Sequence, residues 1–226
     1  MRAPVVDYRN FRLKKITSPE YNHLLYLLGW VFYFLMYVLT ENLIPEEACH
    51  PVECRLDGLI PFCEWFIIPY VLWYFLIAGS LLYFALYDPR SFKKMQTYLI
   101  IVQVIAVIIY IVYPTVQYLR VDLNALGRDN FAIRLVALIQ SADTPTGVCP
   151  SMHCAFSMGI LSVWARKKEV SRLLRVGIAV LCFVICAATC FVKQHSAVDF
   201  FAALPLCLVA ELAAFGGDYL KKLKKA

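Results

Sequence analysis

Two histidines of this chain lie beside residues that are suited to phosphate chemistry. His153 belongs to the segment Pro150-Ser151-Met152-His153, and His195 is followed four residues later by Asp199. The chain has only 4 histidines among 226 residues, and these two lie at the edges of long apolar runs. An ionisable side chain is costly near a bilayer core, so both histidines are candidates for function.

The spacing of His195 and Asp199 permits a catalytic pair. Residues four apart share one face of a helix and can touch. A carboxylate bonded to one imidazole nitrogen fixes the tautomer and leaves the other nitrogen basic, which suits a nucleophile or a general base. An alternative of equal weight is that Asp199 only caps a helix start, where its charge interacts favourably with the helix dipole.

The Pro150–His153 segment and Arg120 add groups that could bind an anion. Proline favours the first turn of a helix, where amides lack intrahelical partners and form a ready anion site. Ser151 adds a hydroxyl donor, and His153 is placed to protonate a leaving oxygen. Arg120 offers a planar guanidinium that binds phosphate through two hydrogen bonds. The alternatives are an ordinary helix start with a chance histidine and a solvated loop arginine.

The elements that must position these residues are predicted to be membrane helices. The chain is 61% hydrophobic with a mean hydropathy of +0.65, which excludes an ordinary soluble domain. About 20 apolar residues suffice for one span. We therefore expect an all-α bundle of six transmembrane helices in one membrane domain, residues 24–216. The apolar runs are 24–40, 65–87, 95–113, 150–165, 176–192 and 198–215.

The distribution of lysine and arginine predicts the orientation of this bundle. If the N-terminus is inside, the segments 1–23, 88–94, 166–175 and 216–226 hold 17 of the 22 basic residues. The positive-inside rule then places the basic arm 1–23 and the basic tail 217–226 in the cytosol. The arm lacks the short apolar core of a cleaved signal peptide. The net charge of +6 follows from topology, so no nucleic-acid partner is invoked, although the tail could also touch anionic lipid.

The same orientation brings the candidate residues to one side of a cell membrane. His153 begins the fourth predicted span and His195 ends the fifth, so both face the extracytoplasmic side. The long outer segment 114–149, which carries Arg120, lies on that side as well. We therefore expect three outer elements to form one pocket at the membrane surface.

The order of these residues resembles the type 2 phosphatidic acid phosphatase family. Pro150-Ser151-x-His153 matches the second signature of the family, and His195-x3-Asp199 matches the end of the third, Ser-Arg-x5-His-x3-Asp. Of the first signature, Lys-x6-Arg-Pro, only Arg120 is present. The stretch Asp143–His153 is similar to the membrane branch of the family, which includes sphingolipid phosphotransferases. The resemblance covers about residues 24–216.

Two cationic positions of the family signatures are replaced in this chain. Tyr113 occupies the Lys position of the first signature, and Val121 occupies its Pro position. Ala188 and Thr189 occupy the Ser and Arg positions of the third signature. Lys193 is the natural substitute, although its ammonium is a point charge where arginine has a planar fork. Arg128 or Arg134 could also take this part. The departures concern the substrate and the efficiency more than the type of reaction.

The resemblance implies a covalent mechanism without a metal or another cofactor. His195, oriented by Asp199, would attack phosphorus and form a phosphohistidine, and His153 would protonate the departing oxygen. Water would then release phosphate, whereas an alcohol would give transphosphorylation. No carboxylate cluster in the sequence is suited to a metal. The groups expected to hold the phosphate oxygens are Ser151, Arg120, Lys193 and the amides near Gly147 and Ser151.

Four functions remain open at this level. The first is hydrolysis of a lipid phosphate, of phosphatidate or polyprenyl or diacylglycerol pyrophosphate type, and the second is transfer of a phosphate head group between lipids. The third is an intramembrane serine protease using Ser151 with His195, although the Gly-x-Ser-Gly context of such enzymes is missing. The fourth is a carrier that binds lipid phosphate without catalysis.

Three further features give weaker expectations. Cys49, His50, Cys54 and Cys63 are close in sequence, and they could form a Cys49–Cys54 disulfide, a zinc site or reduced thiols. The segment 130–140 has the pattern of an amphipathic helix at the outer interface. Glu211, twelve residues past Asp199, is expected to snorkel inward or to bond a neighbouring span.

Overall fold

The computed structural model describes residues 4–224 of the chain, apart from the side chain of Lys222, and these residues are mostly helical. Arg2 and Lys225, which contribute to the charge pattern, lie outside the described residues. The α-helices are α1 (Leu28–Leu43), α2 (Arg55–Leu59), α3 (Ile67–Tyr87), α4 (Pro89–Val112), α5 (Phe131–Ala142), α6 (Met152–Ala165), α7 (Arg172–Phe191) and α8 (Ala197–Leu223). Short 3-10 helices at Asn22–Leu27 and Glu64–Phe66 extend the starts of α1 and α3.

Five helices of the described chain are long and apolar enough to cross a membrane. They cover Asn22–Leu43, Glu64–Tyr87, Pro89–Val112, Arg172–Phe191 and Ala197–Lys221. The predicted class, a helical multi-pass membrane protein, agrees with this architecture. Several predicted bounds were wrong. α4 starts at Pro89 because the carboxylate of Asp88 accepts a hydrogen bond from the Ser91 amide (3.0 Å), and α8 continues past residue 215 to Leu223.

Of the six predicted spans, the fourth corresponds to the shortest helix, α6. α6 has 14 residues, which at about 1.5 Å per residue cover roughly 21 Å of a hydrocarbon core about 30 Å thick. α5 has 12 residues and occupies the segment for which an interfacial helix was expected, with the Asn130 side chain as its N-cap. The sixth span and the interfacial position of α5 stay predictions.

α6 occupies the centre of the bundle, where it packs against α4, α7 and α8. Ten of its 14 residues are buried, which explains how a short helix can be held at this position. At Gly159 an added Cβ would lie 2.4 Å from the Tyr98 ring of α4. A larger residue would push α4 and α6 apart, so glycine is required by this close approach.

Ion pairs join the helix ends at the side of the bundle where α3 passes into α4 and α6 into α7. We call this region the charged end. Glu211 of α8 accepts a hydrogen bond from Ser162 of α6 (2.5 Å) and pairs with Arg166. It therefore bonds a neighbouring helix, one of the two roles expected for it. Lys167–Asp88 and Lys94–Asp218 are further pairs at this end.

Extended segments cover the opposite end of the bundle. Strand β1 (His50–Pro51) pairs in parallel with β2 (Thr115–Val116), and Val116 forms an antiparallel bridge with Thr146. The pairing ties the connecting segments 44–54, 113–120 and 143–150 together. Cys49, Cys54 and Cys63 are free thiols in the structure, so the Cys49–Cys54 disulfide is not formed there. His50 stacks on Tyr113 at 4.1 Å, and the described residues contain no cluster of His, Cys, Asp or Glu that could hold a metal.

Candidate functional site

A cavity of about 260 Å³ lies beneath the extended segments and contains both histidines. Helices α1, α3, α4, α5 and α6 contribute to its wall, together with the loop 143–148 and the turn 193–197 that joins α7 to α8. His153 and His195 both line this space, which we call the histidine cavity. Their ring centroids are 5.6 Å apart. The structure thus brings together two residues that are 42 positions apart in sequence.

His195 is oriented by Asp199 on the first turn of α8. The His195 Nδ1 and Asp199 Oδ2 atoms are 3.0 Å apart, and both side chains are buried. Since an ionised carboxylate can only accept, Nδ1 carries the proton and Nε2 keeps its lone pair. Asp199 Oδ2 also accepts from the Ser196 amide at 3.1 Å. Both readings of this spacing therefore apply, because Asp199 orients the imidazole and also binds the helix start.

The pKa of His195 reflects this environment. Burial alone would lower the pKa, but the hydrogen bond and the negative charge of Asp199 outweigh burial and raise the pKa above its ordinary value. The imidazole is thus more basic than a free histidine. A more basic nitrogen is the better nucleophile once it is deprotonated.

His153 lies on the first turn of α6 between two aromatic rings. Its ring stacks on Tyr70 at 4.3 Å and packs against Trp73 at 4.1 Å. His153 is only 9% exposed, and its Nε2 atom has no hydrogen-bond partner. A buried polar atom without a partner is costly unless a ligand or water binds it. His153 Nε2 is therefore one of three such atoms on residues of this wall, with Trp73 Nε1 and Gln194 Nε2.

The start of α6 is held rigidly by its neighbours. The Ser151 amide donates to the Asp199 carbonyl (3.1 Å), and the Tyr110 hydroxyl donates to the Pro150 carbonyl (2.7 Å). Ser151 is fully buried and acts as the N-cap, since its Oγ accepts from the Cys154 amide at 3.4 Å. The hydroxyl therefore faces its own helix, and no hydrogen bond joins it to His195. The amides of Met152 and His153 remain without intrahelical acceptors.

Gly147 lines the cavity and adopts a left-handed conformation with φ of +60°. Its amide donates to the Thr115 carbonyl at 2.8 Å, so this amide is occupied by the loop pairing. A Cβ at this position would meet only ordinary contacts, the nearest at 3.8 Å. Backbone conformation, not space, is thus the reason for glycine here. The role of Gly147 is to shape the wall.

Arg120 lies behind the cavity wall. Its guanidinium donates to the carbonyls of Gln140 (3.2 Å), Asp143 (2.9 Å) and Thr144 (3.1 Å) and to Gln194 Oε1 (3.1 Å). Arg120 does not line the cavity, but three of these partners, Asp143, Thr144 and Gln194, do. In this structure Arg120 therefore positions the wall and does not itself face the space for a ligand.

Lys193 does not face the histidine cavity. It adopts a left-handed conformation (φ of 58°), and its Nζ donates to the carbonyls of Asp57 (2.6 Å) and Ile60 (2.5 Å) at the end of α2. Carbonyls at a helix C-terminus lack intrahelical donors and attract a cation. The expected substitute for the missing arginine is therefore bound to the end of α2, and this corrects its predicted position.

Asp57 of α2 makes a second contact between α2 and the turn that joins α7 to α8, in which α2 supplies the side chain. Its carboxylate accepts from Ser196 Oγ (2.6 Å), the Ala197 amide (2.8 Å) and the Cys54 amide (2.7 Å). Burial would raise the pKa of Asp57, but these hydrogen bonds outweigh burial and lower the pKa. We call the two contacts of α2, through Lys193 and Asp57, the α2 clamp. The clamp fixes the turn that carries His195.

Sequence reasoning missed Asp57 because its partners are about 140 positions away. The Cys54-x-x-Asp57 spacing resembles a capping box and could have indicated a helix start at α2, but not the cap of α8. The other two candidate cations are also paired elsewhere. Arg128 binds Glu64 at 2.8 Å, and Arg134 binds Asp129 at 2.7 Å.

The aromatic wall is a second feature that was missed. Tyrosine and tryptophan near the ends of membrane spans commonly lie at the membrane interface. Instead, several of them line the cavity: Tyr33, Tyr37, Trp73, Tyr74 and Tyr110. The spacings 33/37 and 70/73/74 place aromatic residues on one face of α1 and one face of α3, a signal that was available in the sequence.

Fold and site together define a helical, multi-pass membrane protein with a cavity that contains two histidines. No family model, no curated protein and no solved structure matches the chain. Of the predicted site residues, His153, His195 and Gly147 line the cavity, Asp199 binds His195, and Ser151 caps the adjacent helix. Arg120 and Lys193 lie outside the lining.

Proposed function

We propose that this protein is a metal-independent membrane enzyme that transfers the phosphoryl group of a lipid phosphate to water through a phosphohistidine. The observation that carries the proposal is the pair of histidines in one cavity. His195 is oriented by a buried carboxylate at 3.0 Å, and His153, which lines the same space, has a buried Nε2 without a hydrogen-bond partner. One imidazole is thus prepared as a nucleophile and the other is free to exchange a proton.

In the proposed reaction each group has one task. The lone pair of His195 Nε2 forms a bond to phosphorus while the bond from phosphorus to the leaving oxygen breaks. Protonated His153 gives its proton to that oxygen and then accepts one from the water that cleaves the phosphorus–nitrogen bond. The amides of Met152 and His153 at the start of α6 favour the negative charge of the phosphoryl oxygens.

The surroundings of the cavity suit a lipid substrate. Phe34 of α1 and Tyr74 of α3 both line the cavity, and they are 57% and 50% exposed at the surface of the bundle. A lipid could therefore enter sideways between α1 and α3, with its head group in the cavity and its chains outside. A pocket open only to water would have no need of apolar residues at its rim.

The proposed topology places this site on the extracytoplasmic side of a cell membrane. Its support is the excess of Lys and Arg in the segments near the charged end, which the positive-inside rule assigns to the cytosol. Both termini are then cytosolic, and α6 is a short sixth span enclosed by its neighbours. Cysteine labelling with a membrane-impermeant reagent at Ser141 and at Lys168, two exposed or partly exposed positions, tests this arrangement.

Hydrolysis is tested with purified protein in detergent and three lipid classes: phosphatidate, a polyprenyl pyrophosphate and a phosphosphingolipid. We expect release of phosphate in the presence of EDTA and an acid-labile phosphoenzyme after rapid quenching. His195→Ala should abolish both signals. His50→Ala is the matched control, since His50 stacks on Tyr113 away from the cavity. Full activity of His195→Ala would refute the proposal.

Transfer to a second lipid is the other candidate function. The observation that favours it is the largely apolar and aromatic wall, which admits a lipid alcohol at least as readily as water. The phosphohistidine would be the same, and only the acceptor would differ. A labelled donor lipid mixed with acceptor lipids separates the two functions, because transfer gives a labelled lipid and hydrolysis gives labelled phosphate in water.

A further inference from the structure

Gln194, the residue before His195, is a polar side chain of the histidine cavity to which the proposed reaction gives no task. It lines the cavity and is only 3% exposed, and its Nε2 atom is buried without a hydrogen-bond partner. A buried amide nitrogen that makes no hydrogen bond costs free energy unless a ligand accepts its protons. Gln194 occupies an unspecified position of the third signature, so the resemblance assigns it no role.

The backbone of Gln194 is fixed beside the proposed nucleophile. The amides of Gln194 and His195 both donate to the Thr189 carbonyl, at 3.0 and 3.1 Å. Thr189 belongs to the last turn of α7, so the two residues leave this helix from one defined point. Both side chains line the same cavity. A ligand group bonded to His195 therefore lies within the surroundings of Gln194.

Arg120 determines which end of the Gln194 amide is available to a ligand. The Arg120 guanidinium donates to Gln194 Oε1 at 3.1 Å. A guanidinium has donors only, so the amide atom bonded to it must be the oxygen, and the NH2 group is at the other end. Since NH2 only donates, its missing partner must be an acceptor. A phosphoryl oxygen in the histidine cavity is such an acceptor.

The charge of Arg120 strengthens this donor. Among the described residues, the other acceptors of the guanidinium are the backbone carbonyls of Gln140, Asp143 and Thr144. These oxygens are neutral, so no bonded carboxylate cancels the charge. A cation at the oxygen end of an amide polarises the amide and makes its N–H groups better donors. Arg120 thus acts on the cavity through Gln194 although it does not line the cavity itself.

We infer that Gln194 is a catalytic residue whose Nε2 donates a hydrogen bond to a phosphoryl oxygen during the attack of His195. Arg120 is the positioning residue that orients and polarises it. This inference rests on the proposed function and adds a residue to its site. A donor held in place stabilises the negative charge that develops on the oxygen without reorganisation. No proton leaves Gln194, so the balance of the proposed reaction is unchanged.

Two substitutions of Gln194 test the donor. Gln194→Met removes the donor and the acceptor of Arg120 without adding a charge. Gln194→Glu keeps an acceptor for Arg120 and replaces the NH2 group with an oxygen. We expect both variants to form the phosphoenzyme about 10²- to 10³-fold more slowly, the usual effect of losing one such donor. Rapid quenching under saturating lipid measures this rate, and thermal unfolding checks the fold.

The two variants also identify a role other than donation. If Gln194 only held Arg120, Gln194→Glu would keep its activity. If the added negative charge were the cause, Gln194→Met would keep its activity. Either result would overturn the inference. Gln140→Glu is the matched control and should react at the wild-type rate, because Gln140 lies beside Arg120 but does not line the cavity.

A double-mutant cycle tests the part of Arg120. Arg120→Lys keeps the charge and loses the planar fork that is bonded to Gln194 and the three carbonyls. Its effect on phosphoenzyme formation should be about tenfold larger in the wild type than in Gln194→Met, because the group that Arg120 orients is absent from the variant. Equal effects in the two backgrounds would refute the role given to Arg120.

Binding of inorganic phosphate distinguishes this inference from the function on which it rests. Isothermal titration of the detergent-solubilised full chain should show saturable binding of phosphate. Gln194→Met should weaken it by about tenfold or more, whereas Gln140→Glu should not. Such binding in a chain that transfers a phosphoryl group from no lipid would refute the function and support the donor. Transfer at the wild-type rate in both Gln194 variants would refute the inference and leave the function in place.

Discussion

The two ends of the bundle use charged residues in opposite ways. At the charged end, Lys94 of α4 and two cations that follow α6 pair with carboxylates on other elements, as in Lys167–Asp88 and Arg166–Glu211. At the cavity end, Arg120 and Lys193 donate to backbone carbonyls, and the residues of the ion pairs Arg128–Glu64 and Arg134–Asp129 do not line the cavity. The carboxylate of Asp143 and the two histidines line an open space instead.

This difference distinguishes charged residues that hold the helices together from residues that are available to a ligand. An ion pair satisfied within the protein contributes to stability and offers nothing to a ligand. A buried nitrogen without a partner, such as His153 Nε2, costs stability and is retained where a ligand binds. Substitutions at the charged end should therefore change stability alone, whereas substitutions at the cavity end should change activity more than stability.

The largest effect is expected from Asp199→Asn. An asparagine amide can no longer accept from Nδ1 with the charge that fixes the tautomer, so His195 Nε2 loses its orientation and basicity. In the Ser-His-Asp triad the corresponding change lowers turnover about 10⁴-fold. The rate of phosphoryl transfer under saturating lipid measures it, with thermal unfolding as the control for folding. A loss of less than tenfold would show that Asp199 serves only as a helix cap.

A matched pair of carboxylate substitutions compares the two ends directly. Glu211→Gln should lower stability by about 1–2 kcal/mol, because Arg166 loses its charged partner, and should leave turnover unchanged. Asp57→Asn should lower stability by about 2–3 kcal/mol and also reduce turnover, because the turn that carries His195 loses its acceptor. Thermal unfolding and turnover are measured on both. Equal loss of turnover in the two variants would contradict the division between the ends.

Lys193→Gln distinguishes a phosphate ligand from a loop anchor. Since Lys193 Nζ is bonded to the Asp57 and Ile60 carbonyls, we expect lower thermal stability and an unchanged KM for the lipid. A cation that held phosphate would instead raise KM with little change in stability. The KM measured at a temperature where the variant is folded decides between the two. Lys168→Gln, at the far end, serves as a charge control.

The sequence predicted the helical membrane class because long apolar runs leave few other structures. It also predicted the residues that lie near one another in sequence, namely His195 with Asp199 and Pro150 with His153, because helix geometry determines their relation. The predicted helix bounds were wrong where a polar N-cap residue starts a helix before its apolar run begins. At α4 the capping residue Asp88 and Pro89 lie before the apolar run, so hydropathy alone placed the start six residues too late.

The cations of the site could not be placed from the sequence. Lys193 lies two residues from His195, but its left-handed backbone conformation and the free carbonyls of α2 direct its side chain to the end of α2. Such a choice depends on contacts across more than 130 positions. The aromatic wall was available as a pattern on α1 and α3. However, tyrosine and tryptophan are common at span ends in any case, because they favour the membrane–water interface.

The smallest expected effect concerns the titration of His195 and isolates the contribution of Asp199. The pKa of His195 is raised, so the fraction with a free Nε2 lone pair should rise with pH through a midpoint above the usual value of about 6.5. The stabilisation from the charged pair has the opposite dependence. It is present below the unfolded pKa and is lost as the pH rises through the folded pKa.

NMR of labelled histidine in the 4-histidine chain follows the midpoint directly, with His153, Cys154 and Asp143 as the other titratable neighbours. In Asp199→Asn the burial of His195 remains and the carboxylate charge is gone, so the midpoint should move down. At the charged end, Glu211→Gln should leave the midpoint unchanged. A midpoint that falls equally in both variants would show that His195 responds to the overall charge of the bundle and not to its bonded carboxylate.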